Sequence, residues 1–203
     1  MQPDLVSSIT PMPTEPTRIT VEQYLDLARS GRLGEDDRVE LLEGVIVAMT
    51  PIGLRHAAAV AYLMRFFIRA LDDRARVWVQ SPFRAGEWSL PEPDLAVIPG
   101  DPSTPLSDYP ERALLLVEVA DSTLHTDRLS KAAIYAAANV SEYWVVDLRS
   151  DVVEVFRAPD RKTARWREHV TAAPGERVVM AAVPDCTLDV AELIRAAGPA
   201  QGA

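Results

Sequence analysis

Cysteine is almost absent from this 203-residue chain, with Cys186 as the single example. One thiol excludes an internal disulfide and a cysteine-built zinc site, so a reducing cytoplasm is the expected setting and core packing the expected role of Cys186. Long apolar runs are also missing: none approaches the roughly 18 residues that a membrane-crossing helix needs, and no membrane association is expected. The stretch Met1–Thr17 contains Pro3, Pro11, Pro13 and Pro16 but no apolar signal-peptide core. It is expected to be a disordered tail, followed by a single domain over 18–197 and a flexible C-terminal tail over 198–203. There are no internal repeats, no low-complexity segment, and neither a helix-turn-helix nor a zinc module to read bases.

Positive charge is scarce too. Lys and Arg total 21 against 30 Asp and Glu, a net charge of −9, and this weighs against binding nucleic acid through bulk electrostatics. Basic residues do cluster locally, as Arg55, Arg65, Arg69 and Arg74 in one segment and Arg157, Arg161, Lys162, Arg165 and Arg167 in another. A solvated face is the expected reading of the second cluster.

What is present is ordinary globular composition, 48% hydrophobic and 25% charged, patterned into alternating helices and strands. Thr20 is placed to cap a helix through Val21–Ala28 that stops at Gly31. Arg38–Met49 reads as two strands joined by a tight turn at Glu43-Gly44. A helix is expected from Leu54 to about Leu71, with His56, Val60, Leu63, Met64 and Phe67 on one apolar face. Strands are then expected at Val77–Gln80, Asp94–Ile98 and Ala113–Val119, separated by proline-rich stretches. A helix over about Leu124–Ala138 follows, then strands at Glu142–Asp147 and Val152–Phe156, further strands at Arg165–Val170 and Arg177–Ala182, and a last helix, Val190–Ala197. Several strands are apolar throughout and need cover on both sides, so the expected fold class is α/β, a mixed β-sheet flanked by helices with additional β-hairpins.

Two acids interrupt the apolar strands: Asp94 in Glu92-Pro93-Asp94-Leu95 and Glu118 in Leu116-Val117-Glu118-Val119. A carboxylate at such a position is costly to desolvate unless it meets a cation, a donor or a metal. Two hard oxygen ligands suit Mg²⁺ or Mn²⁺. Asp127, Lys131 and Tyr135 recur at intervals of four on the next helix and share one face. Taken alone, that face reads as a surface pair of Asp127 with Lys131 above a packed Tyr135. A helix rich in alanine, with Ala132, Ala133, Ala136, Ala137 and Ala138, can instead approach the sheet closely and bring Lys131 toward the strand ends. Tyr143 and Trp144 are expected to pack, and Asp147 to serve a turn.

The order of these segments resembles the Uma2 family of the restriction-endonuclease-like, or PD-(D/E)XK, superfamily. The resemblance rests on Val39–Met49, Glu92–Val97, Val117–Asp127, Lys131 with Tyr135, Glu142–Asp147 and the closing Gly175-Glu176-Arg177-Val178 with Val183-Pro184, and it spans about Thr20 to Leu193. It implies a metal-dependent DNA endonuclease, with Asp94, Glu118 and the backbone carbonyl of Val119 holding Mg²⁺ or Mn²⁺. In the superfamily pattern a lysine stands two residues after the second acid, a place taken here by Ala120. The resemblance implies that Lys131 is the migrated lysine. It also places a glutamate at Glu40, where an ordinary pair with Arg38 is the alternative, and a histidine at His56, where a hydrogen-bonded core residue is the alternative. A homodimer is implied, since cutting two strands needs two sites. A nuclease-like domain that binds nucleic acid or a protein without cutting is the competing expectation.

Overall fold

The computed structural model of the chain describes residues 18–34, 36–121 and 125–199, with side chains 125–129 outside that set. The expected tail over 1–17, most of the one expected over 198–203, and the pairing of Asp127 with Lys131 therefore lie outside the described residues.

Helix α1 (Val21–Arg29) begins where expected. Thr20 accepts from the Gln23 backbone N–H, and the Gln23 side chain accepts from the Thr20 N–H, a reciprocal capping box. Strands β1 (Val39–Leu42) and β2 (Val45–Ala48) form an antiparallel hairpin that pairs Leu42 with Val45. Its two turn residues, Glu43 and Gly44, both have positive φ, at 48° and 83°, the twist that a two-residue hairpin turn requires. Gly44 is also sterically required, because a Cβ there would lie 2.7 Å from Cβ of Arg18.

The long helix α2 (Leu54–Leu71) leads to β3 (Ala75–Val79), β4 (Leu95–Pro99) and β5 (Leu115–Ala120). Helix α3 (His125–Ala137) then connects β5 to β6 (Glu142–Asp147), its parallel neighbour. Strands β7 (Val152–Asp160) and β8 (Arg165–Ala172) complete a six-stranded mixed sheet in the order β3-β4-β5-β6-β7-β8. A short antiparallel pair, β9 (Arg177–Val179) with β10 (Thr187–Asp189), precedes α4 (Val190–Ala197).

The strand pleat sorts the core into two layers. Leu95, Val97, Leu115, Val117, Val119, Trp144 and Val146 face α2 and α4. Ala96, Ile98, Leu116, Tyr143 and Val145 face the opposite way, toward Ile134 and Tyr135 of α3. A third, smaller cluster of Val21, Leu41 and Leu90 fixes α1 and the β1–β2 hairpin. Cys186 is fully buried in the first layer, as its expected packing role requires.

Several expectations need correction. β7 runs on to Asp160 because β8 pairs with it along nearly its full length. The strand expected over Arg177–Ala182 stops at Val179, and its partner β10 was missed, being only three residues long. Met64 is exposed rather than on the core face of α2. Arg55 does not belong to a basic surface: it is buried, donating to the carbonyls of Leu148 and Gly198 and to Asp151. Arg157 is likewise drawn inward, onto the fully buried Glu142. Asp147 does serve its turn, accepting from the N–H groups of Arg149 and Ser150.

Candidate active site

The pairing of Leu95 with Val117 places Asp94, just before β4, opposite Glu118 in β5. Both follow the pleat onto the α3 side of the sheet, together with Ala120. Oδ2 of Asp94 accepts from the Val119 N–H at 2.8 Å and lies 3.1 Å from Nε2 of His56, while Oδ1 is 3.5 Å from Nε2 of Gln80. The N–H and C=O of one strand residue leave the same edge. The Val119 carbonyl therefore faces the Asp94 side, beyond the first residue of β4, while the next carbonyl, that of Ala120, turns the other way to accept from Leu148.

Lys131 is buried between two acids. Its Nζ stands 3.0 Å from Oε2 of Glu40 on β1 and 3.2 Å from Oε1 of Glu118. The same Glu40 oxygen accepts from the Glu92 N–H at 3.0 Å, so the expected alternative of a plain pair with Arg38 is replaced by a bridge from the hairpin to α3. The Tyr135 hydroxyl donates to Oε1 of Glu118 at 2.7 Å. One turn of α3 separates Lys131 from Tyr135, and together they fix one oxygen of the same acid. The packed role expected for Tyr135 thus omitted its hydroxyl. The signal was present in its spacing of four from Lys131. Gln80, at the end of β3, had no such signal.

All of these residues except Tyr135 line a cavity of about 520 Å³, walled by the β1–β2 hairpin, the loop from Met49 to Gly53, the start of α2 and the ends of β4 and β5. His56 lies at this cavity rather than in the core, and Tyr143 forms part of the cavity's wall. Asp37, Glu92 and Asp121 add acid to the lining, against Arg38 and Lys131.

Electrostatics follow from this burial. Burial pushes the Glu118 carboxyl up to about 7; Asp94 and Glu40 add to the rise, and Lys131 and the Tyr135 hydrogen bond oppose it. Burial acts against the charge of Lys131, but Glu118 and Glu40 outweigh it and raise its pKa further, so the ammonium persists. Burial similarly lowers His56, and the hydrogen bond and charge of Asp94 more than reverse that. Glu92 is raised by burial and then by Glu40.

Among the described residues no group of three or more His, Cys, Asp or Glu side chains is gathered closely enough to hold a metal by itself. Two carboxylates and a carbonyl still match the donor chemistry of Mg²⁺, which takes one or two protein carboxylates and completes its shell with water and phosphate.

A family model described as "Putative restriction endonuclease", that of Uma2, matches residues 21–191. The chain belongs to the Uma2 family. Among solved structures, this Uma2 chain is similar to a protein from Anabaena variabilis ATCC 29413 described as a "putative nuclease belonging to DUF820". The identity is 17% and the TM-score 0.72, over 88% of this chain and 99% of that one. The likeness places the Uma2 chain in the restriction-endonuclease-like fold. The type IIG restriction endonuclease BpuSI aligns at 17% identity and a TM-score of 0.41, over 77% of this chain and 17% of that one. No curated protein matches the sequence. No helix among the described residues is long and apolar enough to cross a membrane.

Proposed function

We propose that this Uma2 protein is a metal-dependent DNA endonuclease that hydrolyses phosphodiester bonds. The observation that carries the reading is the meeting of Lys131 with Glu118, at 3.2 Å, in a cavity that also holds Asp94. The start of β4, the middle of β5 and the middle of α3 bring an acid pair and an ammonium to one place, although Ala120 supplies no charge of its own. When bound, a divalent cation, Mg²⁺ or Mn²⁺, held by Asp94, Glu118 and the Val119 carbonyl, supplies Lewis-acid charge to a scissile phosphate and acidifies a water.

The remaining roles belong to the chain. Lys131 places a permanent positive charge where negative charge develops on the phosphate, and Glu40 holds that ammonium in position. His56 and the Val119 N–H orient Asp94, and Tyr135 orients Glu118. The acidic lining is no bar to a polyanionic substrate, since a bound cation inverts the local sign. The buried free thiol of Cys186 is compatible with a reducing cytoplasm.

The test is conversion of supercoiled plasmid to nicked or linear DNA in Mg²⁺ or Mn²⁺ by the wild-type protein and by Asp94→Ala and Glu118→Ala. Cleavage by the wild type alone is the expected result, and equal cleavage by all three refutes the reading. The double engagement of Lys131 favours one alternative, a nuclease-like domain that binds without cutting. That alternative predicts no heat of Mn²⁺ binding in calorimetry.

A further inference from the structure

The acids of the cavity are engaged by one another's neighbours and leave one cation unused. Glu40 takes Lys131 and the Glu92 N–H, Glu118 takes Lys131 and the Tyr135 hydroxyl, and Asp94 takes His56 and the Val119 N–H. Asp37, next to Arg38 in sequence, turns back to accept from the Gly34 N–H at 2.7 Å. Among the described residues, Lys131 and Arg38 are the lining side chains of permanent positive charge, and Lys131 is held between its two acids. None of the cavity's acids forms an ion pair with Arg38.

The backbone fixes where that charge stands. Arg38 immediately precedes β1, and its carbonyl accepts from the Met49 N–H at 2.8 Å, which carries the hairpin ladder one residue past the pair of Val39 with Ala48. Side chains two apart on such a ladder share a face. Glu40 is buried on that face, against Lys131, whereas Arg38 is exposed about 7 Å further out along it. The guanidinium is thus held at the mouth of the cavity, where the hairpin meets the loop from Met49 to Gly53. Its charge reaches inward: Glu92, raised by burial and by Glu40, is drawn back by Lys131 and by Arg38.

An arginine serving only to balance the acids would lie against one of them, as Lys131 does. A guanidinium left open at an acidic entrance fits a different chemistry. Its planar fork of N–H donors matches two oxygens of a phosphodiester, and it stays charged across the working pH range. Acids inside the cavity repel a polyanion, and nucleic-acid binding draws its affinity from cations set against the backbone.

We propose that Arg38 is a substrate-binding residue, whose guanidinium grips a backbone phosphate of the DNA strand outside the one that reaches Asp94 and Glu118. This rests on the reading of the substrate as DNA, and not on whether the cavity cleaves it.

Fluorescence anisotropy of a labelled DNA duplex with the full-length protein, in Ca²⁺ and in EDTA over a range of NaCl, reads affinity and its salt dependence apart from cleavage. Arg38→Ala is expected to weaken binding about tenfold and to reduce the slope of log affinity against log salt by about 0.9, the share of one phosphate contact. Arg38→Lys keeps the charge and is expected to retain the slope with a smaller loss of affinity. Both variants melt as the wild type does, because the side chain is exposed and pairs with no acid. Arg195→Ala, exposed on α4 across the sheet, controls for net charge and is expected to leave affinity and slope unchanged. Unchanged affinity and slope in Arg38→Ala, an equal loss in Arg195→Ala, or no duplex binding by the wild type in either condition overturns the proposal. Plasmid cleavage by a wild type whose duplex affinity ignores Arg38 removes this proposal alone. Binding that depends on Arg38, without cleavage, removes only the nuclease reading.

Discussion

Nζ of Lys131 lies 3.2 Å from Oε1 of Glu118, joining α3 to the middle of β5 at a point where the neighbouring Ala120 offers no charge. The ammonium is supplied by tertiary packing rather than by its own strand, and it is shared with Glu40 at 3.0 Å. The charge balance of the cavity therefore depends on how α3 and the β1–β2 hairpin sit against the sheet.

Replacing Lys131 by Met leaves Glu40 and Glu118 facing each other without a cation. The expected loss is about 3–5 kcal/mol of folding stability at neutral pH, the usual result of breaking a buried pair from one side. Protonation of the acids relieves the repulsion, so the gap from wild type narrows as pH falls. Urea denaturation at pH 8 and pH 5 measures both effects, and a gap independent of pH contradicts the assignment.

Tyr135→Phe removes the donor at 2.7 Å from Glu118 and nothing else of size. A hydrogen bond to a buried carboxylate contributes about 1.5–3 kcal/mol, and that loss is expected in denaturation. If Glu118 holds a metal, Mn²⁺ affinity also falls by about tenfold or more, as happens when the orienting partner of a ligand is removed. Calorimetry separates the two effects, because a purely packed tyrosine changes stability alone.

Glu118 gives a pH dependence of definite sign. Its carboxyl rises from 4.5 unfolded to about 7 folded, so the folded chain keeps a proton that the unfolded chain has released between those values. The stability that this group contributes is present below pH 4.5 and is lost as pH rises through about 7. Glu118→Gln is thus expected to gain stability relative to wild type as pH rises across that window. If Glu118 holds a metal, binding expels the same proton, and calorimetry at about pH 6 in buffers of different ionisation enthalpy reads its release. Metal binding without release at that pH contradicts the shift, as does a Glu118→Gln stability difference that is flat across the window.

Glu142 tests the fold rather than the site. It is fully buried and accepts from Nε1 of Trp144 at 2.8 Å, from Nε and Nη2 of Arg157 at 2.9 and 2.7 Å, and from the Ala181 N–H at 2.7 Å. Glu142→Ala strands a guanidinium and two further donors and is expected to cost about 3–5 kcal/mol in chemical denaturation. A cost below about 1 kcal/mol would show that these groups find water instead.

Most of the elements were legible in the chain because their signals are local. The capping residue Thr20, the Glu43-Gly44 turn, the apolar strand runs and the alanine-rich helix each act over a few residues, and α4 falls on its expected bounds. What failed was of two kinds. β10 is too short to carry a period, and Met64 and Arg55 belong to a helix whose apolar positions run over two faces, so periodicity could not say which face the sheet would take.

The candidate site divides in the same way. The sequence by itself determined which side chains could do the chemistry: the acids Asp94 and Glu118 set in apolar strands, the lysine and tyrosine one helical turn apart, and the absence of a charge at Ala120. Only the tertiary structure decided that Lys131 leaves the surface to stand between Glu40 and Glu118, that His56 turns from the core to Asp94, and that Met64 of α2 stays exposed. Spacing along a chain sets which residues share a face. Which faces meet is set by packing between elements distant in sequence, where burying apolar surface must be reconciled with satisfying every buried charge.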